Sequence, residues 1–127
     1  MAGIVVRDAH FPGRAAIDSY GNGGFRFAGM SHRGSILCLP SGVYGWTPPE
    51  AGIDLASLSR VLEEAADIEV LLVGTGREMQ MLPADLSAAL REARIVADAM
   101  STGAAVRTLN VLLAEDRAVA AALVAVD

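Results

Sequence analysis

Four residues near the middle of the chain, Val70-Leu71-Leu72-Val73, are apolar on both faces and are cut off by Gly74-Thr75-Gly76. A strand without a polar face must be covered on both sides, the condition of a central strand in a sheet flanked by helices. The sequence supplies such covers. Asp54 stands as an N-cap before a helix expected over about 55–66, with Leu55, Leu58, Leu62 and Ala65 on one stripe. Pro83 opens a second helix whose buried stripe is Leu86, Ala89, Leu90 and Ala93. Ser101 or Thr102 caps a third, with Ala105, Leu109, Leu112 and Leu113 on one face. Between the last two, Ile95–Ala97 suggests a second, brief central strand. Alternating strands and helices predict an α/β sheet with right-handed crossovers. Residues 118–126 are ambiguous: alanine favours helix, whereas Leu123-Val124-Ala125-Val126 suits a buried strand.

The first half has a different grammar. Tyr20-Gly21-Asn22-Gly23-Gly24 is a turn signal between extended segments at Ile17–Tyr20 and Phe25–Ala28, where Phe25 and Phe27 alternate with Arg26. A strand is expected at Ser35–Leu39, stopped by Pro40-Ser41-Gly42, and an extended piece at Val43–Trp46. Pro48-Pro49 forbids helix there. These features predict a small antiparallel β unit.

The 127 residues, 53% of them apolar, suit one domain over 1–127 with its own core. No apolar run reaches the roughly 20 residues of a membrane span. Fifteen acids against ten bases give a formal charge of −5, which repels a phosphate backbone and argues against nucleic acid as partner. Every basic residue is arginine, so Schiff-base chemistry on a lysine is excluded. The single cysteine, Cys38, permits no internal disulfide and reads as a buried thiol. MAGIVVRD has only a three-residue apolar stretch before Asp8, which does not fit a signal peptide. A cytoplasmic location is expected.

Three features are candidates for function. Gly74, Thr75 and Gly76 follow a central strand at its carboxyl end, where α/β sheets place ligands and where glycine lets backbone N–H groups approach an anion. The same glycines equally serve a tight turn, and neither a full dinucleotide-binding glycine pattern nor a P-loop lysine is present. The second is the start of the third helix. Thr102 sits at a helix N-terminus, and Arg107 and Asn110 follow three residues apart, as fork donor and orienting amide for a carboxylate or phosphate. Alternatively, Thr102 is only a cap, Arg107 pairs with an acid and Asn110 satisfies a buried backbone group. The third is aromatic: Tyr44 and Trp46 either close the core or anchor an interface. His10 and His32 lack metal-site spacing, so no metal or other cofactor is expected. No serine elbow or carboxylate pair points to catalysis.

The run Leu71-Leu72-Val73-Gly74-Thr75-Gly76, the stretch from Met100 to Arg117, and Ser35–Trp46 together resemble the small Mth-type domain family of unknown biochemical function. Its eukaryotic members include a mitochondrial complex I assembly factor and an adipogenesis-associated protein. The likeness spans about 14–126, with Thr102, Ala105, Asn110 and Leu112 as its best motif. It implies a three-layer α/β fold with a central mixed sheet flanked by helices, and a strand at 118–126. Asp116 stands where that family commonly has glycine, and Leu109 where it usually has an aromatic. Aspartate tolerates left-handed geometry, so the turn is expected to persist.

The expected function is a non-catalytic binding or assembly-type domain with a protein partner or self-association, the exposed Gly21–Gly24 hairpin and Trp46 being candidate surfaces. The alternative is a small-anion or metabolite-binding protein, or an enzyme, using the Gly74–Gly76 loop and the helix start at Thr102.

Overall fold

The computed structural model describes residues 9–127. Residues 1–8, where a leader was considered, and the His10 side chain lie outside the described residues. The described residues form nine strands: β1 (Ala9–Phe11), β2 (Ile17–Gly21), β3 (Gly24–Phe27), β4 (Met30–Arg33), β5 (Ser35–Leu39), β6 (Gly42–Trp46), β7 (Val70–Gly74), β8 (Val96–Met100) and β9 (Val119–Leu123). The α-helices are α1 (Ser59–Glu63), α2 (Ala84–Glu92) and α3 (Thr102–Ala114). Six strands form one sheet in the order β1-β6-β5-β9-β7-β8, and β2-β3-β4 form a second, antiparallel sheet. In the large sheet β7 runs parallel to both β8 and β9, while β5 runs antiparallel to β9 and β6. The central sheet is therefore mixed, and the ambiguous tail is a strand at its heart.

Side-chain alternation divides the core in two. Leu37, Leu39, Leu71, Val73, Ala120 and Ala122 face one side, against Leu58, Val61, Leu86 and Leu90 of the segments around α1 and α2. Ile36, Cys38, Leu72, Ala121 and Leu123 face the other, against Ala105, Val106 and Leu109 of α3 and against Ile17, Phe25 and Phe27 of the small sheet. A two-residue period on each strand feeds both faces, which gives three layers. Each fully buried leucine in this arrangement contributes about 1.5–3 kcal/mol relative to exposure. Alanines on β9 keep the central strand thin enough for helices to approach from both sides.

Several expectations change in detail. The first half does not stay together: β5 and β6 join the large sheet, and β4, which has no apolar alternation, completes the small one. The helix expected over 55–66 is broken into a 3-10 turn at Ala56–Leu58, the short α1, and another 3-10 turn at Ala65–Asp67. Leu55, not Asp54, occupies the N-cap of the first 3-10 turn, and Asp54 Oδ1 accepts from the Ser57 amide at 2.9 Å from one residue further back. β8 is an edge strand, not a central one, with Val96 and Asp98 exposed. Asp116 adopts φ 58°, so an aspartate does make the left-handed turn after α3.

Candidate functional site

β7 and β8 are adjacent parallel strands whose outgoing connections lead to helices on opposite faces of the sheet. The connections part at the carboxyl edge, the place where open α/β sheets form a crevice. Gly74–Gly76 leaves β7 there and Ser101–Thr102 leaves β8. The structure brings these two expected elements into direct contact.

That contact closes the crevice floor. The Thr102 amide donates to the Gly76 carbonyl at 2.8 Å, and the Gly76 amide donates to Thr102 Oγ1 at 3.0 Å. Thr102 Oγ1 in turn donates to the Val124 carbonyl at 2.7 Å, and Thr102 is fully buried. Gly74 is needed for close approach: a Cβ there would lie 2.9 Å from Thr102 Cα. Thr75 is similarly occupied, its amide bonded to the Met100 carbonyl and its hydroxyl donating to the Glu78 carbonyl at 2.7 Å while accepting from the Gln80 amide at 2.9 Å. Ser101 is the N-cap of α3, Oγ accepting from the Ala104 amide at 3.3 Å.

Arg107 and Asn110 go to different places. Arg107 is exposed and, with Tyr20, Gly76, Arg77, Ser101, Gly103, Val126 and Asp127, lines an open cleft of about 290 Å³ beside the helix start. Neither Arg77 nor Arg107 has a hydrogen-bond or ion-pair partner among the described residues. Tyr20 leans over Gly103, where a Cβ would run into its phenol ring. Asn110 instead clasps the peptide group of Ile17, Oδ1 accepting from its amide at 2.9 Å and Nδ2 donating to its carbonyl at 2.8 Å. That clasp ties α3 to the small sheet.

Tyr44 and Trp46 are both nine-tenths buried in the α1–α2 side of the core. The Trp46 indole donates to the Ser57 carbonyl at 2.9 Å, and the Arg60 guanidinium lies 4.4 Å from the Tyr44 ring centroid. Ser41 Oγ donates to Glu64 Oε2 at 2.6 Å, which leaves the Tyr44 hydroxyl to donate to Ser41. Burial in apolar surroundings pushes the Cys38 thiol up to about 12, so it stays protonated at neutral pH. Among the described residues no group of three or more His, Cys, Asp or Glu could hold a metal ion.

Sequence reasoning missed a larger cavity of about 480 Å³ on the α2 side of the same rim, where the loop from Pro48 to Asp54 faces Gln80–Pro83. Its signals were Pro48-Pro49 and the methionine-bearing segment before Pro83, with Met81 84% exposed.

The model of the family described as "Protein of unknown function (DUF498/DUF598)" matches residues 17–124, from β2 through the end of the central sheet. The chain belongs to this family. An uncharacterised family relative from Rhodobacter capsulatus is 40% identical over 94% of this chain and 92% of its own length. NADH dehydrogenase [ubiquinone] 1 alpha subcomplex assembly factor 3 of Mus musculus is 32% identical over 95% of this chain, which spans 66% of that factor. A crystal structure described as an outer membrane protein from Bartonella henselae is 65% identical, with TM-score 0.90, covering 93% of this chain and 100% of that one. A Mth938-like domain from Bordetella pertussis shares the fold at TM-score 0.75 and 28% identity, covering 87% of this chain and 85% of that one. Among the described residues of this DUF498/DUF598 member, no helix is long and apolar enough to cross a membrane.

Proposed function

We propose that this family member is a non-catalytic binding domain of the assembly-factor kind, acting on a protein partner in the cytoplasm as a single unit over 1–127. The observation that carries this reading is the fate of the rim. The hydroxyls of Thr75 and Thr102 are committed to the chain's own backbone, and so is the amide of Asn110, away from the rim. What lines the cleft at the rim is recognition chemistry, the two guanidiniums of Arg77 and Arg107, the Tyr20 phenol and the Asp127 carboxylate, rather than a nucleophile with its base. The assembly role in the name of the mouse relative agrees with a protein partner. The Gly21–Gly24 hairpin, exposed at Asn22, adjoins the same cleft through Tyr20. Native affinity purification of the full chain from its own cells tests this: a partner recovered at constant stoichiometry is expected, and repeated recovery of the chain alone contradicts it.

A second reading rests on one specific observation. Arg77 and Arg107 flank the N-terminus of α3, where the two cations and the helix dipole outweigh the single Asp127 carboxylate and favour a negative ligand. Under this reading the cleft takes a small carboxylate or phosphate, and Arg107→Ala abolishes thermal stabilisation by that anion. A metabolite panel that shifts the melting temperature nowhere removes the reading.

A further inference from the structure

The outward face of the small sheet is a second place where positive charge collects. Cross-strand register sets Ser19, Arg26 and Ser31 abreast, and sets Gly21, Gly24 and Arg33 abreast in the next row of the same face. Phe25 and Phe27 turn the other way, into the core beneath α3, so Arg26 and Arg33 stand exposed. The two glycines leave the floor of the second row as bare backbone. The result is a trough of about 440 Å³ with Arg26 and Arg33 set diagonally across it. Among the described residues no acid lines it. Neither guanidinium and neither serine hydroxyl has a partner among the described residues.

Two like charges one diagonal apart repel, and no acid among the described lining residues offsets them. An anion would, and the donor set says which kind. Two guanidinium forks and two hydroxyls offer about six donated hydrogen bonds and two positive charges. A carboxylate has two oxygens and one charge; a phosphate monoester has three terminal oxygens and, above its second pKa of about 6, nearly two charges. We propose that the outer face of β2–β4 is a binding site for a phosphate monoester dianion. The trough shares Tyr20 with the cleft beside α3, but neither Arg77 nor Arg107 lines it.

The test is an amide-resolved NMR titration of the full chain at pH 7.5 with glycerol 2-phosphate, with glycerol as control. Saturable shifts centred on 19–33 are expected, absent with glycerol. Arg26→Gln and Arg33→Gln each weaken binding about tenfold, and their double variant abolishes it; both positions are exposed, so folding is retained, which the variant's own amide spectrum checks. Arg91→Gln, at a position that lines neither cleft, leaves the titration unchanged. A phosphoserine peptide run in parallel identifies the source: tighter binding than the free monoester marks a phosphorylated chain as ligand, equal binding marks a metabolite, and either supports the site. Absence of saturable shifts, or shifts that survive in the double variant, overturns the proposal.

Discussion

Thr102 and Gly76 are hydrogen-bonded to each other twice, amide to carbonyl at 2.8 Å and hydroxyl to amide at 3.0 Å. This reciprocal pair locks the connection after β7 to the connection after β8, and the same hydroxyl reaches the Val124 carbonyl beyond β9. One side chain therefore joins the carboxyl ends of three strands.

Removing that hydroxyl while keeping the shape should be costly. Thr102→Val leaves the Gly76 amide and the Val124 carbonyl without their side-chain partner in a partly buried place, and should lower stability by about 1–2 kcal/mol. Thr102→Ser should recover most of it. Urea unfolding of the three proteins measures both, and an unchanged valine variant would show that the lock contributes nothing.

Gly74→Ala tests the close approach of helix to strand. The added Cβ meets backbone at Thr102 Cα, along with Leu123 Cδ2 at 3.1 Å and Ala105 Cβ at 3.2 Å. Backbone cannot swing aside as a side chain does, so a loss of about 2 kcal/mol is expected. Gly76→Ala is the paired comparison: it meets nothing within 4 Å, and its strain comes only from φ 118°.

The Asn110 clasp on Ile17 predicts a local effect. Asn110→Ala removes two hydrogen bonds that tie α3 to β2, at a cost of about 2 kcal/mol. Hydrogen exchange should accelerate first in β2–β4, ahead of the large sheet. Uniform acceleration across both sheets would mean that the small sheet is held by other contacts.

Cys38 predicts a pH dependence with a definite sign. Its thiol is raised to about 12 in the folded chain, against an ordinary value of 9.0. Above pH 9 the unfolded chain gives up the proton while the folded chain keeps it. The thiol's contribution is thus fully present below pH 9 and falls by about 1.4 kcal/mol per pH unit as pH rises toward 12. Comparison with Cys38→Ala across pH 8–11 isolates this slope, which should vanish in the variant. The native thiol should also resist alkylation at pH 8 and react once unfolded.

Much of the fold was legible because hydrophobic patterning reflects burial directly. Val70–Val73 had to be central, and the stripes around Leu86 and Leu109 had to cover it. The helix start at 101–102 was legible from its capping residues, and the structure puts Ser101 at the N-cap. Other features are set by tertiary surroundings. β4 reads Met30-Ser31-His32-Arg33, a polar string that becomes a strand because β3 offers it a pairing edge. Ile95–Ala97 looked central because Ile95 is buried, yet β8 beyond it is an edge strand with Val96 67% exposed. The helix expected after Asp54 stops at Glu64, whose carboxylate accepts from both the amide and the hydroxyl of Ser41 in the β5–β6 turn. At the candidate site, spacing set Arg107 and Asn110 on one helix face but could not show that Ile17 would arrive to occupy Asn110. The unpaired state of Arg77 and Arg107 is likewise a property of the folded surface alone.

The claim that matters most is that this chain binds a protein rather than transforms a substrate. Its most direct test is absolute quantification of the native complex, purified through the full chain under mild salt and weighed by light scattering. The account predicts one partner at a fixed molar ratio in every preparation, lost on substitution of Arg77 and Arg107 together. Recovery of the chain by itself in repeated preparations, with turnover of a small molecule in the same fractions, would contradict it.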